Sequence, residues 1–129
     1  MRAIELKLGN FITSNGILCR VISIDRNGVI AEPVKFRGER FTANIEPVFL
    51  TKEWLSKFNF ILYETDIKYY ALEYGLVDKE GDYSNSFLID EDINGFFYFK
   101  INTERIIILF VNQLQNLFFE ITGEELEFK

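Results

Sequence analysis

Three Asn-Gly pairs, Asn15-Gly16, Asn27-Gly28 and Asn94-Gly95, interrupt apolar runs in this chain. The first two separate the segments LKLGNFITS, ILCRVISID and VIAEPVKF. Glycine, and to a lesser extent asparagine, tolerates the positive φ of a tight hairpin turn, so each pair predicts a reversal between neighbouring strands. A curled antiparallel sheet follows for the N-terminal half. Pro33 and Pro47 offer no backbone donor and are expected at strand edges or ends. Arg37-Gly38-Glu39-Arg40, between VIAEPVKF and FTANIEP, reads as a further turn.

The hydrophobic period changes at Leu50. Thr51 is a good helix N-cap, Leu50 and Leu55 match a hydrophobic staple, and Glu53 suits the first turn, which predicts a short helix from about Lys52 to Phe58. Strand signals resume in FILYET, IKYYALEYGLV, SNSFLI and GFFYFKI, the last with aromatic residues on both faces and therefore expected inside the sheet. Val111, Leu114, Leu117, Phe118 and Ile121 recur at helical spacing with Gly123 as a left-handed stop, which predicts a second helix from about Ile108 to Thr122. LEF is a candidate final strand. Trp54, Leu55, Phe58, Leu114, Leu117, Phe118 and Ile121 are the expected core. The reading is an α+β fold: a curved, mostly antiparallel sheet with a barrel-like N-terminal half and two helices, in a single domain over residues 1–129.

Composition narrows the chemistry. There is no histidine among the 129 residues, which excludes Ser-His-Asp and Cys-His dyads, histidine general bases and HExxH zinc sites. No GxxxxGK[ST], GxGxxG or CxxC motif occurs, so nucleotide and zinc sites have no sequence support and no cofactor is expected. Cys19, the single cysteine, sits in an apolar run and reads as a buried, unreactive thiol. No apolar run has the length of a membrane span, and MRAIELKLGN lacks the apolar centre of a secretory signal. A cytoplasmic protein is expected.

Charge is divided unevenly. Residues 1–50 hold seven basic and five acidic side chains, whereas the remaining residues hold seven basic and fifteen acidic ones. Glu73, Asp78, Glu80, Asp82, Asp90, Glu91 and Asp92, with Tyr70 and Tyr74, form the candidate binding face, since a dense negative field repels nucleic acid and attracts basic protein surfaces. Tyrosine adds contact area at small entropic cost. Two alternatives stand beside it. Lys35, Arg37 and Arg40 could contact phosphate, which would make this a nucleic-acid accessory protein. Asp90-Glu91-Asp92-Ile93-Asn94-Gly95 opens like a calcium loop, but its twelfth position is Ile101 instead of glutamate, so an acidic hairpin turn explains the same residues. A carboxylate-based, metal-dependent enzyme is the third reading.

PVFLTKEWLSKFNF (residues 47–60), FVNQLQNLFFEITGEEL (residues 110–126) and LKLGNFITSNG resemble small proteins encoded by phages and mobile elements of the Bacteroidota. Asn112 departs from the histidine expected at its place in that set. The resemblance carries no active site. It implies a non-enzymatic accessory protein of the host bacterial cytoplasm that binds and inhibits a basic host component, such as the guide-binding channel of an RNA-guided CRISPR nuclease, in the manner of anti-CRISPR proteins.

Overall fold

A computed structural model describes residues 6–35, 38–42, 44–66, 71–77, 83–101 and 104–128. The elements in order are β1 (Phe11–Ser14), β2 (Ile17–Asp25), β3 (Gly28–Pro33), β4 (Ile45–Pro47), α1 (Lys52–Lys57), β5 (Phe60–Asp66), β6 (Ala71–Val77), β7 (Tyr83–Glu91), β8 (Phe97–Ile101), β9 (Glu104–Ile108) and α2 (Val111–Thr122). They build two antiparallel sheets, one of four strands in the order β3-β2-β1-β4 and one of five in the order β5-β6-β7-β8-β9. The fold is α+β, as the sequence predicts. Among the described residues the first sheet stays open at β3 and β4, so its likeness to a barrel is loose.

The Asn-Gly pairs act as expected. Ser14 pairs with Ile17, and the two residues between them take φ of 53° (Asn15) and 79° (Gly16). At the next reversal Asp25 pairs with Gly28, while the Asp25 carboxylate accepts the Asn27 N–H at 2.7 Å. Pro33 ends β3 and Pro47 ends β4. The chain turns back after β3, because Ala31 and Phe41 exchange backbone hydrogen bonds of 2.8 and 2.7 Å. The strand that follows is short, however, and β4 joins the sheet beside β1 instead of β3.

Thr51 caps α1 by accepting the Trp54 N–H on Oγ1 at 3.3 Å, and both staple residues, Leu50 and Leu55, are buried. Asn59, at φ 70°, takes the chain out of the helix and into β5. The second helix corrects the sequence reading at its start. It begins at Val111, because Ile106 to Ile108 belong to β9, a strand that the helical pattern had concealed. Three consecutive isoleucines favour a pleated strand over a helix, where branching at Cβ crowds the preceding turn. Gln113 fixes the new start by accepting the N–H groups of Leu109 (2.9 Å) and Phe110 (3.1 Å) on Oε1. Gly123 closes α2 at φ 75°.

Two cores result. The larger gathers Phe11, Leu55, Phe58, Phe60, Phe87, Ile89, Phe97, Phe99, Leu114 and Phe118 with their neighbours. The smaller consists of Ile12, Cys19, Val21 and Ala31. Successive residues of a strand point to opposite faces, so β1 sends Phe11 into one core and Ile12 into the other. Of the expected core residues, Leu55, Phe58, Leu114 and Phe118 are buried, and Trp54 and Leu117 pack against them partly exposed. Ile121 is instead 43% exposed, since the last turn of α2 runs past the apolar surface. Leu126 and Phe128 pack on the large core without forming a strand.

Candidate functional site

The expected acidic and aromatic face maps mainly onto β6, β7 and the turn after β7. Tyr70, Asp78, Glu80 and Asp82 lie outside the described residues. Tyr74 and Glu91 are on the core side of the sheet, each 7% exposed, and the Tyr74 hydroxyl donates to Glu91 Oε1 at 2.7 Å. Burial, followed by that hydrogen bond, pushes the Tyr74 hydroxyl well above the ordinary tyrosine range. This pair holds two neighbouring strands together from within.

Glu73 and Asp90 are direct cross-strand neighbours, and Tyr98 stands beside Asp90 on β8. Strand alternation sets this row on the sheet face opposite Tyr74. Glu73 is half-buried and Asp90 buried. Tyr74, Asp90 and Glu91 are therefore corrected from exposed contact residues to interior ones. The reason is that β7 extends through Glu91, which places two of the acids within a paired strand where a hairpin tip had been expected.

Asp92 makes the turn itself. Its Oδ1 accepts the N–H groups of Asn94 (2.9 Å) and Phe96 (3.0 Å), and its Oδ2 accepts the Tyr98 hydroxyl at 3.1 Å. These donors, the Phe96 N–H foremost, hold its carboxyl below the usual aspartate range. Gly95 completes the reversal at φ 84°. The calcium-like segment thus closes as a hairpin turn, with the carboxylate of Asp92 engaged by the chain. Among the described residues no group of three or more acids or cysteines is placed to hold a metal ion. Lys35 and Arg40, the candidate phosphate contacts, are exposed, and Arg37 lies outside the described residues.

Two features escaped the sequence reading. The first is an amide clasp between the approach to β1 and α2. Gln115 donates to the Gly9 carbonyl at 3.1 Å and accepts the Phe11 N–H at 2.9 Å, while Asn10 donates to Asn116 Oδ1 at 2.9 Å. The second is the outer edge of β9. It has no neighbouring strand among the described residues, and Ile106 and Ile107 are 38% and 44% exposed on it. A groove of about 340 Å³ runs beside this edge, lined by the three isoleucines and, from α2, by Gln113, Leu117 and Glu120 among others. Just beyond β9, Phe49 is 69% exposed and its ring lies 5.2 Å from that of Phe110. The signal was the run ERIIILF, whose alternation is masked because the five positions after Arg105 are all apolar.

No protein-family model, curated protein or solved structure matches the chain. No helix among the described residues is long and apolar enough to cross a membrane.

Proposed function

We propose that this chain is a non-enzymatic binding protein that takes an extended segment of a partner protein onto β9. One observation carries the reading: an edge strand with exposed isoleucines borders a groove against α2. An added strand would satisfy the outer backbone groups of β9, and its alternate side chains would drop into the groove beside Ile106 and Leu117. Natural sheets usually protect such an edge with charge, proline or a bulge. Among the described residues, β9 carries Glu104 and Arg105 at one end, and the chain just past its other end pairs with Val48–Leu50 through the Phe49–Phe110 bridge.

The acidic connection between β6 and β7, with Asp78, Glu80 and Asp82, supplies long-range attraction for a basic partner. Together with the resemblance to phage and mobile-element proteins, this makes a basic host protein of the bacterial cytoplasm the proposed partner, and a guide-loaded CRISPR nuclease the case to test. The experiment is DNA cleavage by such a nuclease, titrated with the chain. Wild type is expected to suppress cleavage. Ile107→Lys, which places a charge on the edge, is expected to abolish suppression without lowering the melting temperature. Neutralising Asp78, Glu80 and Asp82 to asparagine or glutamine is expected to slow the onset and weaken its salt dependence. Cleavage that continues at saturating wild-type protein, or is suppressed equally by Ile107→Lys, would refute the proposal.

A further inference from the structure

A cleft of about 270 Å³ opens between the turn entering β1, the middle of β2, α2 and the segment after α2. Its polar floor is structural, since the side chains of Asn10, Gln115 and Asn116 are joined to each other and to the backbone in the clasp described above. Lys7, on its rim, pairs with Glu120 at 3.4 Å. Arg20 is different. The β ladder sets it between Phe11 on β1 and Glu32 on β3, so an oppositely charged residue stands directly across the strand. Its guanidinium nevertheless lies over the Phe11 ring, 4.6 Å from the centroid, and makes no ion pair with a described residue.

An arginine resting on an aromatic ring keeps its planar N–H fork available, and that fork matches a carboxylate through two parallel hydrogen bonds. Leu8, Phe119 and Leu126 supply apolar wall, with Leu8 61% and Phe119 45% exposed. Glu125 also lines the cleft. Its negative charge disfavours a second charge on the ligand, and so selects a monoanion against phosphate or a dicarboxylate. We infer that this cleft binds a small organic monocarboxylate, with the carboxylate on Arg20 and the apolar body against Leu8, Phe119 and Leu126. The cleft adjoins the groove beside β9, sharing Asn116 with it and meeting it at the Lys7–Glu120 pair, but does not depend on the binding role proposed for that edge.

The test is an amide chemical-shift titration of the full chain with benzoate, with benzamide as its neutral counterpart and inorganic phosphate as the multiply charged one. Benzoate is expected to give saturable shifts at Gly9, Phe11 and Arg20, whereas benzamide and phosphate give none that saturate. Arg20→Gln should weaken benzoate by about tenfold or more, and Arg20→Lys by less, because an ammonium lacks the planar fork. Glu125→Gln, at an exposed position, should tighten benzoate and begin to admit phosphate. The assignment is overturned by shifts that are absent or alike for benzoate and benzamide, by unchanged affinity in Arg20→Gln, or by a Glu125→Gln variant that treats both anions as wild type does.

Discussion

The two sheets are built on the same antiparallel plan and filled in opposite ways. Behind the four-stranded sheet lie Ile12, Cys19, Val21 and Ala31, all small or aliphatic. Behind the five-stranded sheet the contacts are aromatic: the Phe87 ring stacks on Phe99 at 4.4 Å and meets the Phe118 ring edge-on at 5.1 Å. Large rings give the second sheet much apolar area per residue and directional packing. The first sheet has less to bury, and is tied to the large core through Phe11 and to α2 through Gln115 and Asn10. The candidate surfaces flank α2, where they share Asn116. The open edge belongs to the sheet with the stronger core, and the cleft belongs to the seam.

That contrast can be broken most severely at the large core. Phe87→Ala should cost about 3–5 kcal/mol, because it removes a buried ring and leaves a cavity among others. Chemical denaturation should show the loss as a lower midpoint with an unchanged slope. Tyr74→Phe keeps the ring beside Phe97, at 6.2 Å, and deletes only the donor to Glu91. Leaving that buried carboxylate without its donor should cost roughly 1.5–3 kcal/mol. It should also change the alkaline limb. The folded-state pKa of Tyr74 is raised, so its contribution is complete below the unfolded tyrosine pKa of about 10 and falls as pH rises through the folded value. Tyr74→Phe should therefore flatten the decline in stability above that pH.

The seam is tested by Gln115→Ala, which removes three hydrogen bonds joining α2 to β1 and its approach. At roughly 0.5–1.5 kcal/mol each, the expected loss is smaller than at Phe87. Hydrogen exchange should locate it in β1 and β2 more than in β7 and β8. The smallest effect is expected at Asp92, whose depressed pKa gives a contribution present above the unfolded aspartate pKa and lost as pH falls through the folded one. Asp92→Asn should reduce the acid sensitivity of unfolding, measured by melting temperature across the range below pH 5.

The fold was readable where local chemistry is decisive. Asn15-Gly16, Thr51 and Gly123 each satisfy a backbone requirement at their own position, and each appears in its expected role. The start of α2 was obscured because an unbroken apolar run has neither strand nor helix period, and only Gln113 folding back on Leu109 and Phe110 decides between them. The acids were readable as a concentration of charge, but their fate depended on register. Glu91 sits inside because it shares a sheet face with Phe97 and Ile108, which pair with each other across β8 and β9. Arg20 gave no signal in the sequence, since its approach to Phe11 arises from strand pairing between residues separated by a turn.

The reading of β9 as a docking edge is tested most directly by amide hydrogen exchange of the chain, alone and with saturating guide-loaded nuclease. Residues Glu104–Ile108 should exchange quickly in the free protein and become strongly protected in the complex, with little change in β1 and β2. Exchange along β9 that is the same with and without the nuclease would contradict the account.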